Sequence, residues 1–157
     1  PYEEAAYDIY EVDDNFLLNG FGRKAILNEV LSFDDLSKKI KEVFSIDNYR
    51  YMYKDHNKLK EEKFKNIAII NGSANSIIDS MSLKETDIII VGEISYHNAL
   101  DIIEEGKLLI EIGHRESEKL AIDGMYDKIK ESFSDTGHKI NLIKYNSSIS
   151  GWGYHIG

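Results

Sequence analysis

Asp87-Ile88-Ile89-Ile90-Val91-Gly92-Glu93 leads through Ser95-Tyr96-His97-Asn98-Ala99 to Lys107-Leu108-Leu109-Ile110-Glu111-Ile112-Gly113-His114, and these residues decide the fold. Residues 87–91, apolar from 88 on, read as a strand, 95–105 as an amphipathic helix, 107–112 as a second strand and 115–133 as a further helix. Strand, helix, strand units joined by short loops predict a parallel or mostly parallel sheet covered by helices, so the fold class is α/β.

Working outward, residues 67–70 read as a buried strand, 76–81 as a helix and 139–145 as a last strand. Ser32 is a good N-cap for a helix over 33–44, where Phe33, Leu36, Ile40, Val43 and Phe44 recur at helical spacing. Asp34 and Asp35 there face the positive end of the helix dipole. Residues 24–30 and 49–53 read as strands, with a Lys-rich loop after the second. Residues 5–12 alternate tyrosines and aliphatics with acids, which suits a strand, and Asp13-Asp14-Asn15 reads as a turn. The final residues, 146–157, are rich in Ser and Gly and lack strong periodicity.

The chain has 157 residues, 42% of them apolar, which fits one packed domain. No apolar run approaches the ~18 residues needed to span a bilayer. With no cysteine at all, disulfides, thiolate zinc sites and catalytic Cys are excluded, and any metal must be held by nitrogen and oxygen. A formal charge of −9 opposes a phosphate backbone. The groups Lys38-Lys39-Lys41 and Lys58-Lys60-Lys63-Lys65 are interleaved with acids and read as solvated faces, so neither nucleic acid nor membrane is expected as a partner.

In an open α/β sheet ligands collect at the carboxyl ends of strands. Three such ends can be named: Asn71-Gly72-Ser73, Gly92-Glu93 and Gly113-His114. If Gly113 ends a strand and a helix follows, His114 and Glu118 lie one turn apart on one face, roughly 6 Å along the axis and about 40° apart in azimuth. Both can then reach one cation, although the same spacing also serves an ordinary polar helix face. Gly72-Ser73-Ala74 reads as a tight turn out of its strand. Glu111 and Glu116 read as solvent-facing charges, and His56, His138 and His155 have no carboxylate at ligand spacing.

Gly92-Glu93 followed by Tyr96-His97-Asn98-Ala99, and Gly113-His114 followed by Ser117-Glu118, resemble the C-terminal half of the NIF-three-like dinuclear metal-centre family, also called GTP cyclohydrolase I type 2 homologues. Asn66-Ile67-Ala68-Ile69-Ile70-Asn71-Gly72-Ser73 is similar to that family's strand and glycine-rich loop, with Asn71 and Ala74 where glycines are usual. Gly20-Phe21-Gly22-Arg23 is similar to its Gly-x-Gly-Arg opening. Residues 1–10 resemble the last strand of the PII-like domain that longer members carry inserted in the core.

The resemblance implies a C-terminal piece of a longer protein, consistent with a start on Pro1. Residues 1–22 would be the end of the inserted domain and a linker, 23–146 the α/β half of the core, and 147–157 a tail. It implies metal ligands at His114 and Glu118, with His97 and Glu93 as candidates to hydrogen-bond those ligands or to contact the substrate. The His pair and Asp that complete the family's two-metal site have no counterpart here. Two divalent ions are implied for the full protein, among Zn, Mn, Fe or Co without distinction. The implied function is metal-dependent hydrolysis of a small molecule, in a cytoplasmic homo-oligomer, hexameric in the family. A metal-dependent binding or regulatory protein without turnover is the alternative, and a purely structural domain a third. No complete set of general acid, base and nucleophile is visible, so the chain alone is expected to be inactive.

Overall fold

The computed structural model describes residues 22–78, 83–134 and 140–145. Its elements are β1 (Arg23–Ser32), α1 (Phe33–Phe44), β2 (Arg50–Met52), β3 (Lys63–Ser73), β4 (Ile88–Glu93), α2 (Tyr96–Glu104), β5 (Leu108–Glu111) and α3 (His114–Ser134). They fall into two units that divide between Leu120 and Ala121.

In the first unit, one five-stranded sheet has the order β1-β3-β4-β5-β2. The central pairs β3–β4 and β4–β5 are parallel, whereas both edges are antiparallel. The centre follows from composition. Ile88, Ile89, Ile90 and Val91 are all buried, as are Leu108, Leu109 and Ile110, because helices cover both faces and leave no reason to alternate polar with apolar.

On one face α1 contributes Leu36, Ile40 and Phe44, spaced one turn apart, against Ile67, Ile88, Ile90, Leu108 and Ile110. On the other, Ala99, Ile102 and Ile103 of α2, with Ala74 and Ile78, cover Ala68, Ile70, Ile89, Val91 and Leu109. Each fully buried Ile or Leu contributes about 1.5–3 kcal/mol.

Several expectations are adjusted. The Lys-rich stretch taken as loop ends in strand, since β3 starts at Lys63 and runs well beyond 67–70. Where a helix is expected over 76–81, residues 75–77 form a turn and Ile78 is in a 3₁₀ conformation, while 79–82 lie outside the described residues. Residues 140–145 take no regular conformation, because a strand needs a ladder partner and no described strand supplies one. Residue 139 and the expected strand over 5–12 lie outside the described residues.

In the second unit, the remainder of α3 exposes Ile122, Met125 and Phe133, and Asp123 pairs with Lys144. Among the described residues no helix is long and apolar enough to cross a membrane.

The start of α1 is fixed by Ser32. Its hydroxyl accepts the Asp35 N–H at 3.2 Å and donates to the Asp35 carboxylate at 2.6 Å. That hydroxyl holds the Asp35 carboxyl below its ordinary pKa. The contribution is therefore complete above the unfolded-state pKa of Asp and is lost as pH falls through the lower folded value. Ser32→Ala is expected to cost about 1 kcal/mol in urea denaturation at neutral pH, and to cost less at a pH where Asp35 is protonated. An equal loss at both pH values would contradict the reciprocal bond.

Candidate metal centre

Backbone bonds draw the carboxyl ends of β3, β4 and β5 together. Ala74 N–H donates to the Glu93 carbonyl at 3.0 Å, and Gly113 N–H to the Gly92 carbonyl at 2.9 Å. Space there is scarce: a Cβ on Gly92 would fall 2.5 Å from Ser117 Oγ and 2.8 Å from the Gly72 nitrogen. Gly113, at φ +103°, turns the chain from β5 straight into α3 through a conformation that favours glycine.

His114 is the first residue of α3 and Glu118 follows one turn later. His114 Nε2 lies 3.1 Å from Glu118 Oε1, and its Nδ1 lies 3.2 Å from Glu93 Oε1. The imidazole thus stands between two carboxylates, all three side chains being about half exposed.

A neutral imidazole has one N–H and donates to one carboxylate only. Its other nitrogen then turns a lone pair toward an anionic oxygen, which needs a proton or a metal ion between them. Donation from Nδ1 to Glu93 frees Nε2 as the ligand, the usual way in which a carboxylate orients a metal-binding His.

The separations on both sides of the ring, 3.1 and 3.2 Å, suit a shared ion, and the free space distinguishes the Nε2 side. Two ligands about 2.1 Å from one ion, at angles between square and tetrahedral, lie roughly 3.0–3.4 Å apart. Gly72 leaves the necessary room. At φ +63° it carries no side chain where a Cβ would stand 2.8 Å from Glu118 Oε1 and 3.4 Å from His114 Nε2. The residues present therefore fit a divalent ion as two of its donors. Among the described residues no group of three or more His, Cys, Asp and Glu is arranged to hold an ion.

The structure brings His114, Glu118 and Glu93 together and leaves His97 apart. His97 is exposed in the first turn of α2, with no hydrogen bond or ion pair among the described residues. Asn75 organises that corner instead: its Oδ1 accepts the Ser95 N–H at 2.7 Å, and Ser95 caps α2.

Ser117 belongs to the sequence motif, but its role shows only in the fold. Only 1% exposed, it accepts the Gly72 N–H at 2.9 Å and donates to the His114 carbonyl at 2.7 Å, so one hydroxyl joins β3 to the turn that carries the imidazole. The place of Ser117 in the Gly113-His114 and Ser117-Glu118 motif was the available signal. Ser117→Ala strands a buried backbone N–H, and is expected to cost about 1–3 kcal/mol in urea denaturation. A loss below about 0.5 kcal/mol would mean that the bond does not hold the strand end.

Comparison with known proteins bears on the family and the fold. The model of the Duf34/NIF3 (NGG1p interacting factor 3) family matches residues 6–149. Curated relatives include a GTP cyclohydrolase 1 type 2 homolog of Listeria innocua, 32% identical over 143 residues, and one of Halalkalibacterium halodurans, 25% identical. Each alignment covers 91% of this chain and 37% of the relative, so the chain spans little more than a third of their length. Among solved structures, a Bacillus cereus protein related to NIF3 superposes with a TM-score of 0.73 at 19% identity, over 85% of this chain and 35% of that one. A Staphylococcus aureus hypothetical protein gives 0.71 at 24% identity, over 86% and 43%; these two establish the fold alone. The chain belongs to the Duf34/NIF3 family.

Proposed function

We propose that this chain contributes His114 Nε2 and the Glu118 carboxylate to the dinuclear metal centre of a longer, metal-dependent hydrolase. The observation that carries the proposal is the placement of His114. Its Nδ1 faces Glu93, its Nε2 faces Glu118, and Gly72 leaves open the space beside Nε2 and the Glu118 carboxylate.

In this reading Glu93 holds the ring in the tautomer that leaves Nε2 bare, and Ser117 fixes the helix start from which the ring projects. Glu118 supplies the oxygen donor. The remaining donors belong to the part of the protein that this chain does not span. When bound, a pair of divalent ions lowers the pKa of a water and polarises a substrate oxygen, which is hydrolytic chemistry. The name carried by the relatives sets the reaction to test first, ring hydrolysis of a purine nucleotide such as GTP.

Titration calorimetry with Zn²⁺ tests the assignment on the chain as it stands. His114→Ala is expected to remove binding, and Glu118→Gln to weaken it. Glu93→Gln, which keeps the size of the orienting group and removes its charge, is expected to lower affinity by about 10–100-fold. Equal affinity for the wild-type chain and His114→Ala would overturn the proposal.

A further inference from the structure

Asn71 and Gly72 stand at the carboxyl end of β3, where the parallel ladder is irregular. Ile70 pairs with Val91 and Ser73 with Glu93, so two residues of β3 lie opposite Gly92 alone, a bulge that leaves an extra residue outside the regular pairing. Asn71 is exposed, and its side chain has no hydrogen-bond partner among the described residues. Gly72 is buried at φ +63°. Its N–H donates to Ser117 Oγ at 2.9 Å.

Asn followed by Gly is the dipeptide in which a side-chain amide is lost most readily, because glycine has no Cβ to hinder ring closure. The Gly72 nitrogen gives up its proton and attacks Asn71 Cγ. A new C–N bond closes a five-membered succinimide, the Cγ–Nδ2 bond breaks, and ammonia leaves with the proton. Water then opens the ring at either carbonyl and gives aspartate or isoaspartate at position 71. Water is the only co-reactant.

Ser117 controls the first of these steps. While its hydroxyl accepts the Gly72 N–H, the nitrogen keeps its proton and the peptide plane is held toward α3. The hydroxyl donates its own proton to the His114 carbonyl at 2.7 Å, so it faces Gly72 as an acceptor and has no proton with which to stabilise a developing amide anion. The bulge removes the ladder as a second restraint on Asn71, and one buried hydroxyl is left to hold the reacting nitrogen.

We infer that Asn71-Gly72 is a succinimide-forming modification site gated by the Ser117 hydroxyl. Reaction follows local opening of that one bond, not unfolding of the domain. Isoaspartate inserts an extra backbone carbon ahead of Gly72, the residue whose missing side chain leaves room beside His114 and Glu118. Either product adds a negative charge at that edge. The chemistry needs no metal and is independent of the hydrolase reading.

Peptide mapping by mass spectrometry during incubation at mildly alkaline pH tests it. Guanidinium chloride unfolds the chain and sets the unprotected rate, with Asn19-Gly20, the other Asn-Gly of the sequence, as reference. In the folded chain Asn71 is expected to react at least about tenfold more slowly than in guanidinium. Ser117→Ala is expected to raise the folded-state rate about tenfold. Ser32→Ala, which also weakens the fold but leaves the Ser117 bond in place, is expected to leave that rate unchanged. Both aspartate and isoaspartate are expected, whereas direct hydrolysis of the side chain gives aspartate alone. Equal rates for Asn71 in the folded and unfolded chain, no change in Ser117→Ala, equal acceleration by Ser32→Ala, or aspartate as the sole product would overturn the inference.

Discussion

No side chain fits at Gly92. A single methyl group there would overlap the Gly72 backbone and the Ser117 hydroxyl, and everything at the functional edge depends on that closeness. Because β3 and β4 approach so tightly, Ser117 can bridge from α3 to the Gly72 N–H. Because Gly113 bonds back to Gly92, α3 begins directly over the strand ends rather than after a loose loop. Packing of backbone against backbone therefore positions His114, and rigid elements hold a site more precisely than loops do.

The centre of the fold was legible because its physics is local. Continuous apolar runs at 88–91 and 108–110 admit few readings other than strands buried on both faces, and Ser32 followed by apolar residues at helical spacing marks α1. The edges were not legible in the same way. β2 is three residues long and pairs with β5 some sixty residues away, and nothing in Arg50-Tyr51-Met52 names that partner. β1 pairs with β3 antiparallel through a register shift between Ile26 and Leu31, which no spacing rule foretells. At the start of β3, Lys63 and Lys65 have the composition of a loop, but they flank buried Phe64 in the alternation of a strand with one exposed face.

The site divides along similar lines. Helical spacing alone placed His114 and Glu118 on one face, and the structure sets their polar atoms 3.1 Å apart. That Glu93 would reach the opposite ring nitrogen, while His97 would not join them, depends on which way β4 and α2 present their side chains across a parallel ladder. The role of Ser117 was not legible, because its partner is a backbone group on a strand 45 residues earlier. The polar chemistry thus came from the sequence motif, whereas the orientation of the imidazole came from tertiary contacts.

The central claim is that Nε2 of His114 and the Glu118 carboxylate are ligands while Glu93 orients the ring from behind. An anomalous-difference map from crystals soaked in Zn²⁺ or Mn²⁺ tests it most directly. The account predicts a peak about 2.0–2.2 Å from both His114 Nε2 and a Glu118 oxygen, with Glu93 still on Nδ1. A peak on the Nδ1 side, or none with both side chains ordered and accessible, would contradict it.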